Sequence, residues 1–544
     1  MVKIRRFLPF FLAGLLLFLS ACGAAEESPG KGEGPSKKGF TTQNGRGEAF
    51  TIAAGSENKV LEPLVEDFAK KTGHKISIDY MGSLDMMRIL ESGNPPYDGL
   101  WPASSIWLNM GDQDHLLKHT KTVAFTPVIF GIRRSLAQEL GFIGRNDVKI
   151  EEISRAIADG KLHFAMTSST QSNSGASAYL AFLTSFSKDA QSGLTSQDLK
   201  DPVLQEKITQ LLSGVNRSSG SSNWLVDLFL MGNYDAMVNY EQLIIQTNQE
   251  LEKRGKEPLY AVYPVDGLSI SDSPLAYVDR DNPKKEEIFL SFQDFILSDQ
   301  GQSFIESTGK RNAYGKVRDK NRDPYKKEWG IDVDRTLSPI RFPQAEVIRQ
   351  ALSLYQTSFK KPAYTAYVLD YSGSMRGDRY ENMIRALREI WIPENAKKNM
   401  LMGTSRDRTL FIPFSSEVID VKMAEGSDLS SLAKLAEKTR LGGSTSLYEA
   451  ASRAMEELSK VPRITEDYFP AIVLLTDGMA NGNMAFEEFS EKYRTYQLDI
   501  PIFSIQFGGS SEEELENLAN LTHARVFNGQ ENLAEAFRSV RGYN

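Results

Sequence analysis

The sequence predicts an α/β protein built from two separate α/β regions. Short apolar runs rich in β-branched residues alternate with amphipathic stretches of helical period along most of the 544 residues. This alternation is typical of mainly parallel sheets whose strands are connected by helices, and such sheets bind ligands at the carboxyl ends of their strands. The chain is also too long for a single hydrophobic core. We therefore expect two large folded units and the segments that connect them.

The first 21 residues have the pattern of a secretory signal peptide. Three basic residues within the first six positions precede the apolar stretch 7–19, which is short for a membrane span. The sequence Leu19-Ser20-Ala21-Cys22 resembles a bacterial lipobox, and this resemblance implies that Cys22 carries lipid and holds the protein on the extracytoplasmic face of the cell membrane. An ordinary secretory signal with an incidental cysteine and an uncleaved helical anchor are the alternatives.

Composition and charge argue against several classes of protein. Hydrophobic residues make up 41% of the chain and charged residues 25%, which is ordinary for a soluble globular protein and argues against a disordered chain or a membrane channel. The formal net charge of −8 argues against nucleic acid as a partner. Because the chain has one cysteine, it cannot form a disulfide within itself.

The sequence offers little support for catalysis. None of its five histidines has the spacing of a zinc site, and no P-loop is present. His115 and His119 stand four residues apart, but no acid lies between them, so a solvated helix face is a better interpretation than a zinc site. We therefore expect a protein that is not an enzyme.

The first folded region is predicted to span residues 49–340, after a flexible tether at 22–48. The tether is rich in Gly, Ser, Pro and charge and has little apolar surface to bury. The charged segment 314–340 indicates a surface connector at the other end of the region. The clearest elements between them are a strand at 50–54, a helix at 60–71, a strand at 75–80 and a helix at 292–304.

Small polar residues follow the predicted strands of this region. A Gly-Ser pair that enters a helix points backbone N–H groups and a hydroxyl at a ligand, and the helix terminus favours negative charge. Serine is also a common helix cap, so a single pair has a purely structural alternative. Several pairs, together with the polar cluster 169–177, favour a binding cleft. The candidate ligand-binding residues are Gly55, Ser56, Gly82, Ser83, Ser104, Ser174, Ser177 and Tyr240, with Asn239 and Glu241 beside the last.

Several stretches of the first region resemble type II bacterial extracellular solute-binding proteins of ABC importers. They are Gly55-Ser56-Glu57-Asn58, Tyr97-Asp98, Ser172-Asn173-Ser174-Gly175, Tyr263-Pro264-Val265-Asp266-Gly267 and Leu297-Ser298-Asp299-Gln300-Gly301-Gln302. The resemblance implies a two-lobed periplasmic-binding-protein fold, with hinge segments near 125 and 265 and a small polar solute between the lobes. An oxyanion would suit the cleft, although no Lys or Arg is evidently placed to neutralise it. Trp101 and Trp107 fit core positions better than ligand-stacking positions.

The second folded region is predicted to span 341–544, with its core at 363–544. Its apolar runs are short enough for strands that are buried on both faces, and helical stretches lie between them. This is the pattern of a doubly wound sheet. Its predicted elements are a helix at 344–356, a strand at 364–369, a helix at 380–390, a strand at 409–414, a helix at 447–458 and strands at 471–475 and 502–507.

The strand predicted at 364–369 is followed directly by oxygen-bearing side chains. Asp370, Ser372 and Ser374 occupy alternate positions there. Mg²⁺ prefers near-octahedral oxygen ligands and keeps several waters, so one carboxylate with hydroxyl groups can hold it and leave a coordination position open. Helix caps and turn residues without a metal are the alternative interpretation.

With the stretches 442–448 and 474–478, this segment resembles the metal-ion-dependent adhesion site (MIDAS) of von Willebrand factor A (VWA) domains. The resemblance implies a Rossmann-like doubly wound fold and a site for Mg²⁺, with Mn²⁺ or Ca²⁺ as alternatives. One of the two carboxylates is implied to act through water, so the direct ligands leave a divalent cation incompletely neutralised and we expect it to attract an acidic side chain of a protein partner. The implied metal ligands are Asp370, Ser372, Ser374, Thr445 and Asp477, with Asp477 acting through water and Ser444 as the alternative to Thr445.

Together these observations predict a lipid-anchored extracellular protein that couples a solute-binding module to a metal-dependent, protein-binding VWA module. Such a protein would serve in surface recognition, adhesion or assembly. A substrate-binding receptor of an ABC importer, with the VWA domain as a docking module, is the alternative function.

Overall fold

The computed structural model describes residues 39–189, 192–398, 401–530 and 532–543. The predicted signal peptide, the lipidation site Cys22 and most of the predicted tether lie outside the described residues. These described residues form three six-stranded sheets, and helices pack against each of them. Among the described residues, no helix combines the length and the apolar character needed to cross a bilayer.

The first sheet forms lobe 1. Its strand order is β1-β3-β2-β4-β12-β5, with β2 parallel to β3 and β4, and with β12 antiparallel to its neighbours. The elements of lobe 1 up to the first crossing are β1 (Gly39–Thr41), β2 (Arg46–Ala54), α1 (Glu62–Thr72), β3 (His74–Tyr80), α2 (Ser83–Glu91), β4 (Gly99–Trp101), α3 (Ser105–Gly111) and β5 (Leu117–Thr122).

The second sheet forms lobe 2. Its order is β10-β6-β9-β7-β8, and β11 pairs with β6 as well. The elements are β6 (Thr126–Arg133), α4 (Arg134–Glu139), α5 (Ile150–Ala158), β7 (Phe164–Thr167), α6 (Asn173–Phe186), α7 (Pro202–Ser213), β8 (Val215–Ser219), α8 (Ser222–Met231), β9 (Ala236–Tyr240), α9 (Glu241–Lys253), β10 (Leu259–Val262) and β11 (Ser269–Ser271).

The chain crosses between the lobes at three places. The first crossing, between β5 and β6, lies near residue 125 as predicted. The second lies between β11 and β12, at 272–273 rather than near 265. A third, which the sequence did not indicate, passes Arg311, whose backbone bridges that of Phe125. The elements after the second crossing are β12 (Pro274–Val278), α10 (Pro283–Leu297), α11 (Asp299–Ser307) and α12 (Ala345–Leu354).

The third sheet belongs to the second folded region. Its order is β15-β14-β13-β16-β17-β18, and all pairs are parallel except β14 with β15. The elements are β13 (Ala363–Asp370), α13 (Asp378–Trp391), α14 (Pro393–Lys398), β14 (Arg408–Phe414), β15 (Lys422–Glu425), α15 (Ser430–Lys438), α16 (Leu447–Ser459), α17 (Ile464–Asp467), β16 (Phe469–Thr476), α18 (Phe486–Thr495), β17 (Ile502–Gln506), α19 (Glu512–Leu521), β18 (Val526–Asn528) and α20 (Leu533–Arg541).

The central strand β13 is buried on both faces, as the apolar run predicts. Tyr367 and Leu369 pack into the core on one side of the sheet, and Ala366 and Val368 pack into the core on the other. Successive residues of a strand point to opposite faces, so a continuous apolar run is what a strand between two helical layers requires. The strand therefore delivers Asp370 to the carboxyl edge of a sheet that is closed on both sides.

Two predicted boundaries are wrong. The tether was expected to extend to residue 48, but β1 pairs with β3 and β2 begins at Arg46, because Phe40 supplies an apolar side chain that packs against the lobe 1 core. The second region was expected to begin at 341, but α12 belongs to the core of lobe 2 through Ile348 and Leu352. In addition, the Tyr179 hydroxyl donates to the backbone oxygen of Ala351 at 2.8 Å.

Two local predictions also need correction. The helix predicted at 292–304 is two helices, because Ser298 ends α10 and its side chain caps α11 by accepting a hydrogen bond from the Gly301 amide at 3.2 Å. His115 and His119 do not share a helix face. Both have positive φ, and His119 lies in β5, where its Nε2 contacts Glu286 at 2.6 Å.

Candidate functional sites

Three loops of the second region meet at the carboxyl edge of its sheet. The loop after β13 is joined to the loop before α16 by backbone hydrogen bonds from Gly373 to Gly443 (3.1 Å) and from Gly442 to Tyr371 (2.9 Å). The loop after β16 is joined to the second loop by a backbone hydrogen bond, in which the Asn481 backbone N–H donates to the Thr445 backbone oxygen at 3.0 Å. The three sequence stretches that were singled out separately are therefore one site.

Asp370 is the innermost residue of this site, and each of its carboxylate oxygens accepts one hydrogen bond. Its Oδ1 accepts from the Ser372 amide at 2.7 Å, and its Oδ2 accepts from the Thr476 hydroxyl at 2.7 Å. Burial raises the pKa of Asp370, although these hydrogen bonds oppose the rise. A nearby cation would oppose it further, because a positive charge favours the ionised carboxylate.

A chain of oxygen atoms leads from Asp370 toward solvent. The hydroxyls of Ser372 and Ser374 lie 3.0 Å apart, and Ser374 donates to Asp477 Oδ1 at 2.7 Å. Ser372 and Asp477 are buried, whereas Ser374 is exposed. The cluster is therefore anchored in the sheet and open on its outer side.

The structure distinguishes between Thr445 and Ser444, the two candidate metal ligands in the second loop. Thr445 is buried, and its Oγ1 lies on the side of Gly478 that also faces Ser374, because a Cβ built on Gly478 would lie 3.4 Å from Thr445 Oγ1 and 3.8 Å from Ser374 Oγ. Ser444 is half-buried, and its hydroxyl lies 3.1 Å from that of Ser416. The geometry therefore brings Thr445, and not Ser444, to the oxygen cluster.

The side chains of this cluster fit a hard divalent cation. They are two carboxylates and three hydroxyls, and Mg²⁺ prefers such oxygen ligands. In the described parts of the chain, no group of three or more His, Cys, Asp or Glu side chains is arranged to hold a metal. A cation here would therefore rely on hydroxyl groups in addition to Asp370 and Asp477.

Arg379 is a residue of this site that sequence reasoning missed. Its Nη1 contacts Asp477 Oδ2 and also donates to the backbone oxygen of Ser374 at 3.3 Å. The side chain is 42% exposed, so it can leave Asp477 without disturbing the core. The contact joins residues 98 positions apart, and no local motif signals it.

The loops predicted to bind solute meet between the two lobes. Ser174 lies at the centre of a buried hydroxyl cluster, 2.7 Å from the Thr167 hydroxyl and 2.8 Å from that of Ser222. Asn173 Nδ2 donates to the Tyr240 hydroxyl at 2.9 Å, and its Oδ1 accepts from the Ser177 hydroxyl at 3.1 Å. Ser174, Ser177 and Tyr240 are thus brought together by these buried hydrogen bonds, and their contact with a ligand stays a prediction.

The lobes contact each other directly across this network. Trp107 of lobe 1 donates to Asn173 of lobe 2 at 2.6 Å, and the hydroxyls of Ser56 and Ser221 lie 3.1 Å apart. A Cβ on Gly82 would overlap the backbone oxygen of Gln171. The structure is therefore the closed arrangement of the two lobes.

Other predicted cleft residues have structural partners. Ser104 is the N-cap of α3, Ser83 Oγ accepts from the Ala103 amide at 3.1 Å, and the Gly55 amide donates to the backbone oxygen of Trp101 at 3.1 Å. Near Tyr240, the Asn239 side chain donates to the Ser222 backbone oxygen at 2.8 Å, and Glu241 is paired with Arg311 at 2.9 Å. Trp101 and Trp107 are buried in the core, which agrees with the interpretation favoured from the sequence.

Two charged residues near the cleft were not predicted. Glu57 is 4% exposed, and its Oε1 has no hydrogen-bond partner among the described residues. Lys310 is 1% exposed and donates to Asn58 Oδ1 at 2.9 Å. Burial lowers the pKa of Lys310 to about 8, although the attraction of Glu57 opposes the decrease. The sequence showed no Lys or Arg evidently placed to neutralise an oxyanion, but the third crossing brings Lys310 back to the lobe interface.

Comparisons with known proteins agree with this division. Residues 50–311 match the family model for bacterial extracellular solute-binding proteins, and residues 366–538 match that for the von Willebrand factor type A domain. No curated protein sequence matches the chain at a significant level.

Similar solved structures include three binding proteins from bacteria. A periplasmic binding protein from Actinobacillus pleuropneumoniae is 14% identical, with 56% of this chain and 97% of that one covered and a TM-score of 0.41. The sulfate-binding protein of Mycobacterium tuberculosis is 18% identical (52% and 91% covered, TM-score 0.38). The ferric binding protein of Campylobacter jejuni is 14% identical (57% and 98% covered, TM-score 0.39). By its sequence matches, the chain carries a bacterial extracellular solute-binding domain followed by a von Willebrand factor type A domain.

Proposed function

We propose that this protein is a cell-surface recognition protein whose VWA domain binds an acidic side chain of a protein partner through a divalent cation. The observation that carries the proposal is the convergence of Asp370, Ser372, Ser374, Thr445 and Asp477 at an edge that is open to solvent. Lipid attachment through Cys22 would hold the protein on the extracytoplasmic face of a bacterial membrane, where surface adhesion or assembly takes place.

The roles of the residues follow from their positions. Asp370, Ser372 and Ser374 would hold the cation from the first loop and Thr445 from the second, while Asp477 would act from the third loop through water. When bound, Mg²⁺ supplies a positive charge with a vacant coordination position that a carboxylate can fill. Arg379 must move away from Asp477 before the partner's carboxylate can bind the cation with full affinity. Its exposed side chain allows this movement.

The first domain would bind a small polar solute between its lobes. The support is the buried network around Asn173, Ser174 and Tyr240, together with the charged side chains of Glu57 and Lys310. Glu57 Oε1 has no hydrogen-bond partner among the described residues, and a buried polar group without one is costly, so a ligand that hydrogen-bonds to it would gain affinity. The same arrangement is also compatible with the alternative function, a substrate-binding receptor of an ABC importer.

Calorimetric titration of the whole chain with MgCl₂ and with MnCl₂ tests the proposal. Wild-type protein is expected to bind one cation, and Asp370→Ala is expected to abolish the binding heat, because it removes the innermost carboxylate. Asp378→Ala is the matched control, since Asp378 is an exposed acid eight positions away and outside the cluster. Equal binding by wild type and Asp370→Ala would overturn the metal assignment.

A thermal-shift screen separates the importer function from surface recognition. Oxyanions, sugars and amino-acid derivatives would each be added to wild-type protein and to Asp370→Ala. Strong stabilisation by one solute, equal in the two proteins, together with no cation binding, would favour the receptor alternative. Cation binding that is lost with Asp370 would favour surface recognition.

A further inference from the structure

A small cavity lies where the two lobes meet the VWA domain, outside both sites described above. Lobe 1 contributes Arg88, lobe 2 contributes the loop 168–171 and the end of β8, and the VWA domain contributes α20. Lys360 enters from the segment that connects α12 to β13. Its basic lining residues are Arg88, Lys360, Arg538 and Arg541, and its polar ones include Ser168 and Thr170.

One pair of these cations is balanced by nearby carboxylates. Arg88 pairs with Asp85 at 2.7 Å and donates to the backbone oxygen of Thr170 at 3.3 Å. Arg538 shares the same oxygen of Asp85 at 3.2 Å and pairs with Glu535 at 2.7 Å. These contacts fix the two guanidinium groups at the cavity wall.

The other pair lacks such balance. Lys360 has no ion-pair partner within the described part of the chain, and the nearby carboxylate of Asp407 is already bonded to Thr404 Oγ1 at 2.6 Å and to the Ala363 amide at 3.1 Å. Arg541 donates to the backbone oxygen of Leu401. Burial lowers the pKa of Lys360; Asp407 opposes this and Arg541 adds to it. Positive charge is therefore crowded on this side of the cavity.

The cavity is chemically separate from the solute cleft. Ser172 and Ser174 of the same loop region turn their hydroxyls toward Ser222, inside the lobe interface. Ser168 and Thr170, whose hydroxyls lie 3.2 Å apart, line the cavity instead. Among the described residues that line it, none is acidic. A space that basic groups and hydroxyls line in this way favours an anion with several acceptor oxygens.

We propose that this cavity binds a tetrahedral oxyanion of the phosphate or sulfate class. Arg guanidinium groups match the paired oxygens of such an anion, Lys360 adds charge, and the hydroxyls of Ser168 and Thr170 supply further donors. Because the ligands come from both lobes, the connecting segment and α20, the bound anion joins the VWA domain to the closed solute-binding domain.

The test is calorimetric titration of the whole chain with sodium phosphate and, separately, with sodium sulfate. Lys360→Met and Arg541→Gln are each expected to weaken the affinity at least tenfold, which corresponds to about 1.4 kcal/mol. Lys434→Met is the matched control, because Lys434 is an exposed lysine of α15 in the VWA domain, and it should bind as the wild type does. Unchanged affinity in both cavity variants would overturn the proposal.

Two further measurements keep the result clear. Lys310→Met changes the lysine beside the solute cleft, so a loss of phosphate binding in this variant alone would place the anion in the cleft and contradict the proposal. Crystals soaked in selenate are expected to show an anomalous peak between Lys360 and Arg541. The absence of that peak from a soaked wild-type crystal, together with no binding heat for either anion, would also overturn it, whether or not the variants fold.

Discussion

At the scale of single residues, the candidate metal site shows which contacts a motif can reveal. Asp370, Ser372 and Ser374 are neighbours in sequence, so the alternation that identifies them also places their oxygens close together. Thr445 could not be distinguished from Ser444 in the same way, because both are small hydroxyl residues in one loop. The distinction depends on Ser416, whose hydroxyl lies 3.1 Å from that of Ser444, and on Gly478, which borders Thr445.

Replacement of these two residues tests the assignment. Thr445→Ala is expected to weaken Mg²⁺ binding about 10- to 100-fold, because a hydrogen bond or ligand contact to a charged group contributes roughly 1.5–3 kcal/mol. Ser444→Ala is the matched control and should leave the affinity unchanged. Isothermal calorimetry measures both values. A larger loss in Ser444→Ala than in Thr445→Ala would show that the second loop binds the cation in another conformation.

At the scale of elements, α2 and α6 control how closely the lobes approach. Gly82 precedes α2 in lobe 1, and its Cα faces the backbone oxygen of Gln171, which precedes α6 in lobe 2. Glycine is not needed here for its backbone conformation, because any residue can adopt the φ of −65° at this position. It is needed because a side chain would prevent the close approach of Gln171. The pair Gly82-Ser83 was predicted to contact a ligand, but its glycine allows contact between the lobes instead.

Gly82→Ala is therefore expected to hold the lobes apart while each lobe still folds. The added methyl group would overlap the backbone oxygen of Gln171. Such overpacking costs about 1–3 kcal/mol and would destabilise the closed arrangement of the lobes. Small-angle X-ray scattering should show a larger radius of gyration than for the wild type. Gly509→Ala is the control, because its Cβ would meet no atom nearer than 3.7 Å. An unchanged radius in Gly82→Ala would mean that the closed lobes can accommodate the methyl group.

Elements with a strong local pattern could be predicted from the sequence, and their assignment to domains could not. The run at 364–369 predicted β13 because it is apolar except for Thr365, and the helix at 344–356 was evident from its period. The allocation of that helix to the second region failed, because its apolar face contacts α6, which lies more than 150 positions earlier in the chain. The third crossing was missed for the same reason, since Arg311 meets Phe125 only in the folded protein.

At the scale of the whole molecule, the VWA domain docks on the solute-binding domain through a specific interface. Arg217 of lobe 2 pairs with Asp499 at 2.8 Å and donates to the backbone oxygen of His523 at 2.8 Å. Tyr543 packs edge-on against Trp224, with ring centroids 5.2 Å apart. Burial acts to raise the pKa of Asp499, but Arg217 and its other partners hold it well below its usual range. A conformational change in either domain can therefore affect the other through these contacts.

Disruption of the Arg217–Asp499 pair is expected to uncouple the two domains. Arg217→Met leaves Asp499 without its guanidinium partner, although the His523 ring still lies 3.8 Å away, and loss of such a contact costs roughly 1.5–3 kcal/mol. Differential scanning calorimetry should show one transition for the wild type and two for the variant. The difference should shrink progressively as the pH falls below about 3.9, the usual pKa of an unfolded Asp, because the stability from a lowered pKa is complete above the unfolded value and is lost as the pH falls through the folded one.

Two further variants identify the cause of any change. Arg254→Met removes an exposed i,i+4 pair with Glu250 in α9, and such pairs contribute only about 0.3–0.5 kcal/mol, so it should unfold in one transition like the wild type. Asp499→Asn in the Arg217→Met background removes the carboxylate that has lost its guanidinium partner and should recover part of the lost stability, since the penalty comes from that charge. A single transition in Arg217→Met, at the temperature of the wild type, would show that the ion pair does not hold the domains together.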